Sequence, residues 1–373
     1  MKVCLVADAL QPSTGWGRYA AEITRGLINA GVECVIASPR KYCDYPELTE
    51  HPNHHDIRSF MYEDRHYAKL LCRNIRALKR ASAGCDLVHC FVEPYLPALG
   101  LLPGRTPLVA SLVGSYSLLN VHPPPERFLL RRTLRRAAHL VPISAYTEQR
   151  VTEHLPLGET SVIPLGVCVE DFWPHRQLPA RERKCVLSVG MVKPRKGLHV
   201  SIRAFARVIK RHPSARYLII GQIIRGPYFD RLKRLVADLD LETSVEFLGE
   251  VGEDEKIDWY HRCTVMVAHF LSDERAFDGF GLVHLEANAC GAPVIGTFDS
   301  GAEEPVIPGE NGILVKQHDV AATAEAMDRL LSDPDQARAL GEGGRRRARQ
   351  LTWENTARGM LDVFRRVVDE KRD

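Results

Sequence analysis

The sequence lacks the motifs of several common enzyme classes. It has no G-x-x-x-x-G-K-[ST] loop, no G-x-S-x-G elbow and no H-E-x-x-H pair, so the chemistries built on those motifs are not indicated. None of its ten cysteines forms C-x-x-C, and neither a zinc site nor a redox motif is therefore expected. We expect these cysteines to be free thiols in a reducing cytoplasm.

A strong net charge and long apolar runs are also absent. The net charge is +3 and the isoelectric point is near 8.3, which is too mild to indicate a nucleic-acid partner. No uninterrupted apolar segment reaches the roughly 18 residues of a membrane helix. The first apolar run, Val3–Ala7, is too short for the core of a signal peptide. We therefore expect a cytoplasmic protein.

The length and the hydrophobic pattern predict two α/β domains. A chain of 373 residues exceeds the roughly 250–300 residues over which one core usually grows. Short apolar strands alternate with amphipathic helical patterns, which is typical of parallel sheets covered on both faces. The predicted strands are Val3–Ala7, Glu33–Ala37, Asp86–Phe91, Leu108–Leu112 and His139–Ile143, then Cys185–Gly190, Tyr217–Gly221, Val245–Leu248, Val265–Ala268 and Pro293–Gly296.

The series restarts after a junction near residues 170–184. We therefore predict an N-terminal domain over residues 1–170, a C-terminal domain over 171–352 and a final helix over 353–373. Ligands of such sheets bind outside the carboxyl ends of the strands. Two facing domains would place their ligand loops across a shared cleft.

The segment D-G-F-G-L-V-H-L-E-A-N-A-C-G-A-P-V-I-G, residues 278–296, is the most informative part of the chain. A glycine-rich turn follows Asp278 and opens a helix whose backbone N–H groups and dipole favour an anion. Glu286 lies in an otherwise apolar helical pattern, where a carboxylate is costly without a partner. Because carboxylates accept from hydroxyl groups, the segment suits a ligand with both phosphate and vicinal hydroxyls.

Two further loops suit a phosphorylated ligand. Met191–Gly197 leaves a strand and carries Arg195 and Lys196, side chains that can bind phosphate; a solvated basic turn is the plainer interpretation. Ser13–Arg18 lies between the first strand and helix, and its glycines would let backbone approach a phosphate, although a plain tight turn fits too. Ala20 stands where G-x-G-x-x-G would need a third glycine, which makes a nicotinamide dehydrogenase a poor match.

Two charged segments are open to a functional or a structural interpretation. Ser300–Pro305 delivers two acidic residues near a strand end, where an acidic helix N-terminus would also be favourable. Arg127–Arg136 carries five arginines and reads as the charged face of a packed helix or as a peripheral contact with anionic membrane. Leu70–Arg80 could extend that surface. The D-x-D pairs at 238–240 and 333–335 fall at predicted helix boundaries, so we predict caps or turns and no metal site.

These motifs, in this order, resemble the retaining GT-B glycosyltransferases of family 4, the glycosyl transferases of group 1. The resemblance is strongest over Val186–Val315, through S-V-G-M-V-K-P-R-K-G, F-L-G-E-V, the segment after Asp278 and G-E-N-G-I-L-V. It implies two Rossmann-like domains facing across a cleft, with the donor held mainly by the second and the last helix crossing back to the first. It also implies a metal-independent reaction, with no cofactor, that uses a UDP- or GDP-type sugar donor.

The resemblance assigns roles residue by residue. It implies catalytic roles for Asp278, Arg195 and Lys196, with the two cations on the donor diphosphate and Glu286 on the ribose. The acceptor would be a glycan, a lipid-linked molecule or a small molecule, bound by the N-terminal domain. The remaining implied donor-binding residues are Gly15, Gly17, Gly190, Lys193, Gly249, Val251, Gly279, Phe280, Gly281 and Leu282.

The chain departs from the family pattern at three positions. The first acidic position is usually Glu and is Asp278 here, one methylene shorter. Met191 replaces the usual Arg, and Val113–Ser115 stands where a His often follows the strand, so we assign no N-terminal catalytic histidine. A non-catalytic GT-B binding or scaffolding module, or a GT-B nucleotide-sugar epimerase or phosphorylase, therefore remains an alternative.

Overall fold

The structure is a computed structural model. It describes residues 1–62, 67–103, 106–173 and 184–371, so most of the predicted junction near 170–184 lies outside the described residues. The chain divides into two compact units. Unit 1 comprises Met1–Leu165 and Trp353–Asp373, and unit 2 comprises Gly166–Thr352.

Unit 1 contains a six-stranded parallel sheet in the order β3-β2-β1-β4-β5-β6. Its central strands are buried on both faces, which explains their continuous apolar sequences. The order reverses between β1 and β4, and such a reversal is where sheets of this kind usually bind ligands, at the carboxyl edge. The strands are β1 Lys2–Val6, β2 Glu33–Ser38, β3 His54–Asp56, β4 Leu87–Cys90, β5 Leu108–Leu112 and β6 His139–Pro142.

Helices cover the unit 1 sheet, and the last helix of the chain packs against the first. The rings of Tyr19 and Trp353 lie 6.4 Å apart between these two helices, and the Thr356 hydroxyl donates to the Pro164 carbonyl over 2.8 Å. The C-terminal helix is therefore part of the unit 1 core. The helices are α1 Gly15–Asn29, α2 Pro46–Thr49, α3 Tyr67–Ala81, α4 Leu96–Leu99, α5 Pro124–Arg136, α6 Ala145–Thr152 and the last helix, α13, Trp353–Glu370.

Unit 2 contains a second six-stranded parallel sheet, in the order β12-β11-β10-β7-β8-β9. Here the order reverses between β10 and β7. The strands are β7 Cys185–Val189, β8 Arg216–Ile220, β9 Val245–Gly249, β10 Val265–Val267, β11 Val294–Thr297 and β12 Gly312–Val315. The helices are α7 Leu198–Val208, α8 Pro227–Asp238, α9 Glu253–Arg262, α10 Leu282–Ala289, α11 Val320–Ser332 and α12 Pro334–Gln350.

The predicted α/β class with two parallel sheets is confirmed, and two details differ. Helix α1 begins at Gly15, so the glycines of Ser13–Arg18 lie in its first turn and Thr14 is its N-cap. Strand β3 had not been predicted from the sequence, because it is only three residues long and polar. Strand β12 had not been predicted either. Within the described ranges, no helix is both long enough and apolar enough to cross a lipid bilayer.

Candidate functional site

The reversal between β7 and β10 is where a parallel sheet of this kind binds ligands. The loop after β7 carries Lys193, Arg195 and Lys196, and the connection after β10 carries Asp278. Since the carboxyl ends of parallel neighbours meet at one edge, the fold brings together side chains that are more than 80 residues apart in sequence.

Asp278 lies between two cations. Its Oδ1 accepts from Lys196 Nζ over 2.8 Å, and its Oδ2 lies 3.3 Å from Arg195 Nε. The second contact is an ion pair without hydrogen-bond geometry, because Asp278 Oδ2 and Arg195 Nε are both buried with no hydrogen-bond partner among the described residues. The Lys196 ammonium also lies 4.4 Å from the centroid of the Phe270 ring. The cluster thus offers polar atoms that a ligand can still satisfy.

The charges in this cluster do not cancel. Burial alone would raise the pKa of Asp278, but Lys196 and Arg195 more than offset it, so its pKa is lowered and it is ionised. Burial lowers the pKa of Lys196, and the charge of Asp278 opposes that shift. The pKa of Lys193 is lowered by burial and then by its two cationic neighbours. Three cations share one carboxylate, which favours an anionic ligand.

The basic loop is held by backbone contacts. Gly190 N–H donates to the Ile220 carbonyl over 2.8 Å, and Leu271 N–H donates to the Arg195 carbonyl over 2.8 Å. Gly197 has φ 60°, and a Cβ there would lie 1.9 Å from the His269 carbonyl oxygen, so only glycine fits. These contacts fix Arg195 and Lys196 against the connection after β10.

The segment Asp278–Leu282 is supported by the loop after β11. Gly301 N–H donates to the Asp278 carbonyl over 3.0 Å. A Cβ on Gly301 would lie 2.3 Å from the backbone of Gly279 and Phe280. The Ser300–Pro305 segment therefore supports the glycine turn through packing, and Glu303 accepts from the Asp299 N–H within its own turn. The turn ends at Gly281, which caps α10 at its N-terminus.

Glu286 lies four residues after Leu282 on α10 and is 5% exposed. Its Oε2 accepts from the Tyr260 hydroxyl over 2.8 Å and lies 3.7 Å from Lys256 Nζ. Both partners are on α9, which explains how an acidic side chain is accommodated in an apolar helix. Sequence reasoning had missed Tyr260 and Lys256, because nothing in the polar pattern of α9 marks them as partners of α10.

The other predicted donor-binding residues of unit 2 follow strands of the same sheet. Gly190 follows β7, and a Cβ there would lie 3.5 Å from the Lys196 side chain. Gly249 ends β9, and its carbonyl accepts from the Gly221 N–H over 2.8 Å. Val251 follows at the same carboxyl edge. These residues lie on the loops that a ligand at this edge would reach.

In unit 1, Gly15 and Gly17 lie at the start of α1. Gly15 is exposed, and nothing would lie within 4 Å of a Cβ added there. A Cβ at Gly17 would lie 2.6 Å from Thr14 Oγ1, so the N-cap packing already requires that glycine. Gly15 is thus open to a ligand, whereas a structural need accounts for Gly17.

Two interior groups of unit 1 bear on the missing histidine. His89 is buried, contacts Ser111 Oγ over 3.3 Å, and burial lowers its pKa to about 3, so it is a neutral core histidine. Glu93 follows β4 and is fully buried. Its Oε1 accepts from the N–H groups of Val113 and Gly114 over 2.6 and 3.3 Å. Sequence reasoning had missed Glu93, which lies at the loop where the family histidine is absent.

His284 faces the cluster from inside α10. Its Nδ1 contacts the Gly281 carbonyl over 3.2 Å, and burial lowers its pKa to about 4, so it is neutral. Asp333 caps α12 by accepting from two backbone N–H groups, as predicted. The described part of the chain holds no group of three or more His, Cys, Asp or Glu side chains arranged for a metal ion.

Two family models match the chain. Residues 169–347 match the glycosyl transferases group 1, and residues 13–171 match glycosyltransferase family 4. Together they span both units and the residues of the cationic cluster.

Curated relatives give the same assignment. The chain is 33% identical to a D-inositol 3-phosphate glycosyltransferase of Acidothermus cellulolyticus, over 68% of the chain and 59% of that protein. It is 28% identical to the enzyme of the same name from Thermobispora bispora, over 96% and 92%. It is 32% identical to a GDP-mannose-dependent alpha-(1-6)-phosphatidylinositol monomannoside mannosyltransferase of Mycolicibacterium smegmatis, over 69% of each.

Solved structures share the fold along nearly the whole chain. Sucrose-phosphate synthase from Thermosynechococcus elongatus aligns with a TM-score of 0.83 at 25% identity, over 99% of this chain and 100% of that one. The Anabaena protein HepE in complex with UDP-glucose aligns with a TM-score of 0.79 at 17% identity, over 97% and 99%. The chain belongs to the family 4 glycosyltransferases and has the GT-B fold.

Proposed function

We propose that this protein is a retaining, metal-independent glycosyltransferase that moves a sugar from a nucleotide diphosphate sugar to an acceptor hydroxyl. The observation that carries the proposal is the cluster of Lys193, Arg195, Lys196 and Asp278 at the strand-order reversal of unit 2. Its excess positive charge, partly buried, matches a diphosphate. UDP-glucose in the related HepE structure supports a donor of this class.

The roles follow from charge. As the bond between the anomeric carbon and the diphosphate breaks, its electron pair passes to the diphosphate, and Arg195, Lys196 and the N-terminus of α10 stabilise that charge. The acceptor oxygen bonds to the anomeric carbon on the same face. Its proton passes to the departing diphosphate, so no protein base is required. Asp278 holds the two cations and orients a sugar hydroxyl.

The remaining donor contacts are assigned to the loops around the cluster. Glu286 binds the ribose hydroxyls, with Tyr260 fixing its carboxylate. Gly249 and Val251 border the base. Gly190 and residues 279–282 present backbone to the diphosphate and sugar. Gly15 and Gly17, at the start of α1, are the proposed donor-binding residues of unit 1.

Donor binding and turnover test this assignment. Lys196→Ala and Glu286→Ala should each lower transfer by about 10²–10³-fold, the usual loss for one well-placed charged group. Matched controls are Lys233→Ala and Glu246→Ala, which remove exposed partners of surface ion pairs in the same unit. Near-wild-type turnover in both site variants would remove the assignment.

Product analysis separates the alternatives. A transferase releases UDP or GDP together with a glycosylated acceptor and keeps the anomeric configuration of the donor. An epimerase or phosphorylase consumes the donor without such an acceptor, and a binding module shows a donor-induced thermal shift without turnover. A thermal-shift screen of UDP- and GDP-sugars should come first, because a ligand at about 100 times its Kd stabilises the folded protein by roughly 2.7 kcal/mol.

We also propose a peripheral contact with anionic membrane. Helices α3 and α5 both pack against the buried helix α4. Among the described residues, Arg131, Arg132, Arg135 and Arg136 form no salt bridge, and Phe128 is 66% exposed. Exposed cations beside an exposed aromatic ring suit an anionic bilayer surface. Such a surface would favour a lipid-linked acceptor.

Flotation with vesicles tests the membrane contact. Phosphatidylglycerol vesicles should bind the protein at low salt, and phosphatidylcholine vesicles should not. Replacing Arg131 and Arg135 with Gln should weaken the binding, whereas the same change at the exposed Arg365 and Arg358 of α13 should not. Binding that ignores salt or lipid charge would retire this proposal.

A further inference from the structure

Two aromatic side chains from different loops lie side by side in unit 1. Trp16 is in the first turn of α1, and Tyr116 is in the loop after β5. Their ring centroids are 6.2 Å apart and their planes are inclined by 24°. Tyr116 is 39% exposed and Trp16 is partly buried. Two adjacent aromatic rings that keep this much exposure offer an apolar face against which another ring can pack.

The pair lies where the unit 1 sheet would bind a ligand. Trp16 follows β1 and Tyr116 follows β5, and β4 lies between these two strands in the sheet. Both loops therefore leave the carboxyl edge beside the reversal between β1 and β4. Tyr62, 42% exposed, adds another aromatic ring there: burial raises its pKa and the Trp16 side chain partly opposes that shift. Its ring centroid is 4.6 Å from that of Tyr42.

The loop that presents Tyr116 is fixed from inside. Buried Glu93 accepts from the N–H groups of Val113 and Gly114 and from the Ser117 hydroxyl, which bracket Tyr116 in sequence. His122 donates from Nε2 to the Tyr116 carbonyl over 2.8 Å, and its Nδ1 pairs with Glu126 over 2.8 Å. The position of Tyr116 is thus set by two buried side chains, as in a preorganised binding site.

We propose that Trp16 and Tyr116 form the acceptor platform, which stacks on the C–H face of a pyranose or cyclitol ring. The inference rests on the proposed glycosyltransferase function and adds where the acceptor ring binds. Aromatic faces attract the weakly positive C–H groups of such rings, and a rigid pair offers a large contact area at little entropic cost. Among the residues proposed to bind the donor, Gly15 and Gly17 of unit 1 contribute backbone and no side chain, so the two aromatic rings are available to the acceptor.

Ring binding can be measured without donor or turnover. The protein has four tryptophans, and the indole N–H signal of Trp16 can be assigned by its loss in Trp16→Phe. Methyl α-D-glucopyranoside and D-inositol 3-phosphate are titrated to about 50 mM, since single-ring affinities are often millimolar. At least one ring should shift the Trp16 signal and leave those of Trp173, Trp259 and Trp353 in place. Tyr116→Ala should abolish the shift.

Kinetics then give a second readout. With an acceptor found by the donor-consumption screen, Tyr116→Ala should raise the acceptor KM about tenfold, the loss of roughly 1.4 kcal/mol of stacking. The donor-induced thermal shift should stay at the wild-type value. Leu101→Ala, which removes another exposed apolar side chain of unit 1, 40% exposed, is the matched control and should leave the acceptor KM unchanged.

The outcomes distinguish this inference from the function on which it rests. No shift of Trp16 with either ring, or a shift that persists in Tyr116→Ala, overturns the platform while leaving donor transfer untouched. A raised donor KM with an unchanged acceptor KM also overturns it. Loss of the donor-induced thermal shift in Lys196→Ala is a separate test and concerns only the donor site.

Discussion

Replacement of Asp278 by Asn tests the electrostatic account of the site, because it changes charge while nearly keeping shape. The carboxylate is 11% exposed and the Lys196 side chain 17% exposed. Removing one partner of a buried pair costs about 3–5 kcal/mol. Both side chains of the Asp278–Lys196 pair are partly exposed to solvent, and Asn can still accept from Lys196. We therefore expect a smaller loss, of about 1–3 kcal/mol in unfolding free energy.

A diphosphate ligand should reverse part of this loss. In Asp278→Asn, Lys193, Arg195 and Lys196 have no carboxylate in their cluster, and a bound UDP or GDP supplies the missing negative charge. The stabilisation by nucleotide should therefore exceed that of the wild type by about 1 kcal/mol, or roughly 2–4 °C in Tm. Asp328→Asn is the control, because Asp328 pairs with Arg211 and His212 on another part of unit 2.

The stability of Asp278→Asn should also depend on pH differently from that of the wild type. Burial lowers the pKa of Lys196 below its usual 10.5, with Asp278 opposing the shift. Without Asp278 the folded-state pKa falls further, so the unfolded chain binds more protons at alkaline pH. The variant should regain stability relative to the wild type as pH rises toward 10.5. Thermal unfolding with and without nucleotide, across pH, measures both effects. Equal nucleotide shifts in variant and wild type would refute the account.

Three further changes probe the supports of the two sites. Tyr260→Phe removes the 2.8 Å donor to Glu286, so nucleotide affinity, measured by calorimetry, should fall about five- to twentyfold. Gly301→Ala places a Cβ 2.3 Å from the Phe280 backbone, so denaturant unfolding should show a loss of about 2–4 kcal/mol in unfolding free energy. The control is Gly158→Ala, because a Cβ there meets nothing within 4 Å; Gly309 is unsuitable because its φ is positive. Burial raises the pKa of Glu93, so wild-type stability should decline as pH rises from about 4.3 through the raised pKa; Glu93→Gln should remove this decline in a pH series of urea melts.

Much of the candidate site in unit 2 could be predicted because it is encoded locally. Asp278 and the basic loop are recognisable in the sequence because they place charges in glycine-containing turns beside apolar strand patterns. The pattern also predicts that both segments lie at the carboxyl edge of a parallel sheet. Strand order was not accessible from the pattern, so the direct contact between Lys196 and Asp278 came from the structure.

The residues that were missed depend on tertiary contacts. Tyr260 and Lys256 contact Glu286 from a different helix, far from it in sequence, and neither stands out locally. Glu93 is different: it lies in the apolar run V-H-C-F-V-E-P-Y-L, and the argument that singled out Glu286 applies to it equally. A lone carboxylate in an apolar run indicates a buried, partnered side chain in both halves of the chain.

Asp278 and Glu93 are both buried carboxyl groups, but different neighbours stabilise them, which indicates different roles. Asp278 is buried beside cations, which lower its pKa and keep it charged. Glu93 is buried among neutral donors, and its pKa is raised. A charged group beside surplus cations suits ligands whose charge changes during reaction. A carboxyl group bound by backbone N–H groups suits fixing a loop. This difference supports our proposals that unit 2 carries the charge chemistry and that the loop of Tyr116 in unit 1 recognises the shape of the acceptor ring.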